Sequence, residues 1–281
     1  MIDARTQMGS VFLTVADLDR SLHYYGDNIG LRLHDRQDGR ACLGNGADDL
    51  LMLTEQPGAR PARGKSGLYH FALLLPSRLD LACTLQHLAD TGTPIGGASD
   101  HAVSEAIYLT DPDGHGIEIY RDRPRSEWEY PDGNLKLTVD PFDGAGVMAE
   151  LEGSEPSWSG LAAGTVMGHV HLHVAYLDQA VDFYTDVLGF ELMASYGEEA
   201  AFVAAGGYHH HLGLNTWAGV GAPAPGRDDA SLQWYEIRLP DQGALTEVVG
   251  RLEAAGVKRT ATEGAWLVHD PSGNGLMLRT L

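Results

Sequence analysis

The chain carries 13 histidines, several of them in short runs, and these are the residues best placed to do chemistry. In Gly168-His169-Val170-His171-Leu172-His173-Val174 the apolar residues fall on every second position, the period of a strand with one face against a core. Val170, Leu172 and Val174 then face a helix, and His169, His171 and His173 share the opposite face. A lone histidine there would be read as solvated, but a row of three imidazoles favours a cavity or a metal. A second apolar strand, Leu68-Tyr69-His70-Phe71-Ala72-Leu73-Leu74-Leu75, contains His70, and Ile117-Glu118-Ile119 sets a carboxylate opposite two core-facing isoleucines. Alone, Glu118 would be an ordinary solvated strand residue. Together, two neutral imidazoles and one carboxylate with other positions open form the facial arrangement that suits non-haem iron(II), and the same ligands accept manganese(II). The residual positive charge of such a centre lowers the pKa of a bound catechol hydroxyl, and its open positions hold ring oxygens and dioxygen side by side.

Those residues belong to a repeated unit. An offset of 159 residues carries Leu18, Leu22, Tyr25, Ile29 and Gly30 onto Leu177, Val181, Tyr184, Leu188 and Gly189. The apolar positions step by four, three and four, the buried stripe of a helix, with a glycine suited to a left-handed stop. An offset of 164 carries Pro76, Leu81, Leu85, Leu88 and Gly92 onto Pro240, Leu245, Val249, Leu252 and Gly256. Asp111-Pro112-Asp113-Gly114 and Asp270-Pro271-Ser272-Gly273 are turn sequences within hairpins. Each unit therefore reads strand, helix and about three strands, predicting an α+β fold of four βαβββ modules at 8–56, 66–122, 166–216 and 230–281. The expected domains are 1–125 and 165–281. A linker over 126–164, rich in Pro, Gly, Ser, Glu and Trp, joins them, with a short strand expected near Leu135–Val139.

Aligning the four modules places Ser10, His70, His169 and Trp234 at one position, while Met277 is the counterpart of Glu118. Only modules two and three supply ligand-type residues, so they must face each other across the linker and leave modules one and four as a metal-free pair. A further cluster, His209-His210-His211, precedes Leu212 and Leu214. Strand parity turns His209 and His211 toward the cavity unless a bulge shifts the register; a surface patch is the plainer reading. His101 and Tyr108, upstream of Glu118, are of types that donate or relay protons beside a metal.

Composition mainly excludes. Nineteen Lys and Arg against 39 Asp and Glu give a formal charge of −20, which repels phosphate backbones and anionic lipid, so neither nucleic acid nor a membrane is an expected partner. No run approaches the roughly 18 apolar residues of a membrane span. The two cysteines, Cys42 and Cys83, form no metal or disulfide pattern, which fits a reducing, cytoplasmic setting.

With these motifs, and with Gly67-Leu68-Tyr69-His70-Phe71, Gly207-Tyr208-His209-His210-His211 and Asp111-Pro112-Asp113-Gly114-His115-Gly116-Ile117-Glu118-Ile119-Tyr120, the sequence resembles the vicinal oxygen chelate superfamily and, within it, the catechol 2,3-dioxygenase branch. The resemblance covers essentially the whole chain. It implies two barrel-like mixed-sheet domains, iron(II) on His70, His169 and Glu118, Tyr108 touching substrate, and His210 as the acid or base that parity would assign to His211. His101 lies near the family's other outlying histidine, with different spacing. The implied partners are a small aromatic diol and dioxygen, with homo-oligomerisation left open. Many extradiol enzymes place all three ligands in the C-terminal half, and this chain departs from that. A glyoxalase-like metal-dependent isomerase or transferase, and a non-enzymatic protein that binds aromatic compounds, are the competing expectations.

Overall fold

Alternating apolar residues make each module's first strand, and a helix follows it, capped by a side chain in modules one, two and four. In the computed structural model, which describes residues 1–153 and 158–281, module one runs β1 (Gln7–Val15), α1 (Leu18–His23), β2 (Arg32–Gln37), β3 (Arg40–Gly44) and β4 (Asp49–Glu55). After a two-residue strand β5 (Arg60–Pro61), module two is β6 (Gly67–Leu75), α2 (Arg78–Asp90), β7 (Gly97–Asp100), β8 (Ser104–Thr110) and β9 (Gly116–Asp122). The connecting segment holds β10 (Asp140–Pro141) and α3 (Gly144–Ala149). Module three is β11 (Val166–His173), α4 (Leu177–Asp182), β12 (Glu191–Tyr196), β13 (Ala200–Ala204) and β14 (Leu212–Asn215). The short β15 (Asp229–Ala230) precedes module four: β16 (Leu232–Leu239), α5 (Gln242–Ala254), β17 (Arg259–Thr262), β18 (Ala265–His269) and β19 (Gly275–Thr280).

Asp17, Ser77 and Asp241 accept a backbone N–H three residues on, which starts α1, α2 and α5. Both α1 and α4 widen into a π-turn, Tyr24–Ile29 and Phe183–Val187, and the glycine after each takes a left-handed conformation, φ 90° at Gly30 and 89° at Gly189. The helices cover one face of each sheet and share a continuous apolar core with it, built on Leu73, Leu75, Ile117, Ile119, Val170 and Leu172 around the site.

The sheets join modules across the linker. One has the order β17-β18-β19-β16-β1-β4-β3-β2, uniting modules four and one; the other runs β10-β7-β8-β9-β6-β11-β14-β13-β12, uniting modules two and three. At the centre of the second, β6 and β11 pair antiparallel, with His171 opposite His70 and His169 opposite Ala72. The expected strand at 135–139 is not formed. Leu135 and Leu137 instead pack with Trp128 and Tyr208, and the strand in this segment is β10, added at the edge beside β7.

Candidate metal centre

Register alone brings the donors together. Ala72 lies opposite Glu118 on β9 and opposite His169 on β11, so these three side chains form a row across the sheet, with His70 one step along β6 on the same face. Ala72, fully buried and small, forms the floor between the two larger neighbours. Close backbone approach adds to this, since a Cβ at Gly116 would fall within 3.1 Å of the Tyr69 carbonyl carbon and the His70 Cβ.

His70 Nε2 lies 3.0 Å from Glu118 Oε2, His169 Nε2 lies 3.2 Å from the same oxygen, and the two Nε2 atoms are 3.4 Å apart. All three side chains are buried. A first-row cation bound at about 2.1 Å holds ligands at right angles about 3 Å apart. The triangle of acceptors has those dimensions, and two imidazole nitrogens plus one carboxylate suit a divalent first-row ion. Burial holds the His169 imidazole down at about 4, keeping it neutral as a ligand must be. Burial also works to raise the Glu118 carboxyl, but the His169 and His70 rings against it leave its pKa well below the ordinary range.

The counterpart positions explain why only one such centre exists among the described residues. In the sheet of modules one and four the matching residues are Ser10, Trp234 and Met277, and Trp234 packs on Phe12. Within modules two and three the triad is itself lopsided. Ala72 faces Glu118 across β6 and β9, whereas the equivalent pair across β11 and β14 is His171 and Gly213. A Cβ at Gly213 would lie 2.7 Å from the His171 ring, so glycine is what lets that imidazole lie against the strand, and no second carboxylate enters from that side.

A cavity of about 530 Å³ opens onto His70 and Glu118 of the triad, with Tyr108, His101, His171 and His210 also in its wall. Its apolar surfaces are Phe202 and Trp217, with Leu137 and Val139 from the connecting segment closing one side. Tyr108 Oη lies 2.6 Å from His101 Nε2, and His101 Nδ1 lies 2.6 Å from the Thr138 carbonyl. A carbonyl only accepts, so His101 carries its proton on Nδ1, and Tyr108 donates to Nε2. Burial, and then the nearby Glu118 charge, push the Tyr108 phenol well above its usual pKa, so it stays protonated. The loop that presents His101 is tight, with Ala102 at φ 66° and its N–H bonded to Asp100, itself gripped by two Arg123 nitrogens at 2.7 Å.

The structure places the histidine run differently from strand parity. Residues 205–211 form turns, and β14 begins only at Leu212, so alternation does not apply to them. His210 faces the cavity. His209 is fully buried, bonded to Asp122, and His211 points away, its Nδ1 accepting the Ala205 N–H and its ring lining a second cavity behind the sheet. Burial lowers the pKa of His210 well below the ordinary value and that of His211 to about 3.

Three contributors had no place in the sequence reading. Tyr69 reaches the cavity because the β6–β11 register skips it between the His171–His70 and Leu172–Leu68 pairs, a bulge that reading the strand as regular does not reveal. Trp217 lies in the loop after β14. Asp122 sits four residues after Glu118 on the same strand face, a spacing that could have been noticed.

Comparisons with known proteins fit this geometry. A model of the glyoxalase/bleomycin resistance protein/dioxygenase superfamily matches residues 7–119 and 166–278. The chain is 46% identical over 271 residues to a catechol-2,3-dioxygenase of Bacillus subtilis (strain 168), covering 95% of this chain and 94% of that one. Among solved structures, a Bacillus subtilis protein provisionally described as a dioxygenase aligns with a TM-score of 0.68 at 14% identity, covering 100% of this chain and 86% of its own. Glyoxalase I from Zea mays aligns with a TM-score of 0.56 at 17% identity over 98% and 92% of the two chains. The two structures speak to the fold.

Proposed function

Because the chain belongs to the glyoxalase/bleomycin resistance protein/dioxygenase superfamily, we propose that it is an extradiol dioxygenase that opens a catechol-like ring beside its diol, using iron(II) held by His70, Glu118 and His169. Both atoms of dioxygen enter the product, a muconic semialdehyde type. The observation that carries this reading is the buried triangle of two imidazoles and one carboxylate at the floor of an aromatic-walled cavity, in a chain 46% identical to a catechol-2,3-dioxygenase.

Bound iron(II) supplies Lewis acidity toward the diol and electron density toward dioxygen. The protein does the rest. Phe202 and Trp217 supply aromatic wall for a planar ring, and the Tyr108 oxygen, its proton directed to His101 Nε2, is left as an acceptor for a substrate hydroxyl. His101 orients that hydroxyl. His210, neutral and facing the cavity, accepts a catechol proton and later returns it. Manganese(II) fits the same donors. The glyoxalase-like isomerase reading is disfavoured by Gly213, which leaves the set at three protein donors.

The test is anaerobic purification with metal analysis, then addition of catechol and air. The expected result is about one iron per chain and a yellow product, with both metal and colour lost in His70→Ala and Glu118→Ala. Stoichiometric metal with no colour across several catechols would move the assignment to an isomerase or transferase, and a metal-free chain that binds aromatic compounds would replace it with a binding protein.

A further inference from the structure

The hydrogen bonds behind His210 all run one way. On β9 the alternation puts Glu118, Tyr120 and Asp122 on one face. One Asp122 oxygen accepts from Tyr208 Oη at 2.9 Å, and Tyr208 Oη is 2.8 Å from Tyr120 Oη, so Tyr120 donates to Tyr208. The other Asp122 oxygen lies 3.0 Å from His209 Nε2. A carboxylate cannot donate, so the His209 proton is on Nε2 and its Nδ1 is a lone pair. That Nδ1 is 2.7 Å from His210 Nδ1, a bond needing one proton, and with a neutral His209 it is His210 that supplies it. His210 Nε2 is then unprotonated on a ring that lines the cavity beside Tyr108 and Glu118. Trp128 and Tyr208 pack on the His209 ring, 5.5 and 4.1 Å between centroids, and hold it in place.

We propose that Asp122 and His209 are positioning residues that fix His210 as the Nδ1–H tautomer, so that it presents a lone pair to the substrate. The inference rests on the reading of His210 as the group that meets substrate. Neither residue touches the cavity chemistry itself, and their effect passes through one proton's location. Without the carboxylate, His209 has no reason to hold its proton on Nε2, and His210 loses its preference in turn.

The experiment uses the full-length chain, zinc-loaded as a diamagnetic form and labelled with ¹⁵N-histidine, with His210→Gln identifying the His210 ring signals. The wild-type chain should show His210 protonated at Nδ1 alone. In Asp122→Ala, a population protonated at Nε2 should appear. In the iron-loaded form of that variant kcat should fall about 10- to 100-fold, with KM and metal content within about twofold of wild type. Asp122→Asn, which keeps an acceptor, should restore most of the tautomer preference and the rate. Should Asp122→Ala fail to fold, His209→Phe keeps the ring volume, removes the acceptor, and should give the same mixture. A wild-type His210 protonated at Nε2, or an unchanged tautomer in the variant that folds, overturns the proposal. Because the tautomer is read without turnover, a wild-type chain with the expected tautomer but no ring cleavage would count against the dioxygenase reading alone.

Discussion

At the scale of single residues the site depends on what is small as much as on the three side chains that converge. Ala72 lies fully buried between Glu118 and His169 in the row across β9, β6 and β11, where a long side chain would compete for the space in which the three side chains converge. Ala72→Leu should cost about 1–3 kcal/mol through overpacking and abolish stoichiometric metal binding, whereas Ala72→Ser should keep both. Metal analysis beside a thermal melt checks this, and a well-folded, metal-replete Ala72→Leu chain would refute the role of the floor. His70, His169 and Glu118 were legible because alternation marks which strand positions leave the core. Tyr69 was not, because a bulge breaks that alternation, and His210 was separable from His211 only by resemblance, since a histidine run in a turn has no parity to read.

At the scale of elements, β8 and its loop hold one wall of the cavity by charge. Glu105 is buried and accepts from Arg78 at 2.9 and 3.0 Å and from Arg121, with Arg123 nearby. Burial acts to raise its pKa, yet the Arg78 and Arg121 contacts outweigh it and leave the carboxyl below its ordinary value. A carboxyl depressed in the folded state adds stability above its unfolded pKa of about 4.3, and that stability is lost as pH falls through the folded value. Glu105→Gln should therefore lower stability near neutral pH by about 1–3 kcal/mol and flatten the acid limb of the stability profile, as denaturant melts across pH would show. An unchanged acid limb would mean the cluster does not couple to folding. The helices that back these strands were readable from their four-three-four spacing, though not the π-turns that widen α1 and α4. The segment after β9 read as a plain linker because its contacts, such as Thr138 with His101, are made one residue at a time and leave no period.

At the scale of the whole molecule, each sheet draws one module from either side of the linker, as the distribution of ligand-type residues required. His70 and Glu118 precede that crossing and His169 follows it. Two fragments that together make up the whole chain, 1–150 and 151–281, expressed separately should each fail to bind metal stoichiometrically, and mixing them during refolding should recover it; a folded, metal-binding monomer from either fragment would contradict this. The same seam bears on synthesis from the N-terminus. As the chain leaves the ribosome, β1 and β6 emerge well before β16 and β11, the neighbours that flank them in the finished sheets. For much of translation the newborn chain therefore shows two central strands as open edges, the state most prone to pairing with other nascent chains. His169, the third of the proposed ligands, arrives only with β11, so on that proposal incorporation of the ion is a late event in the life of each copy.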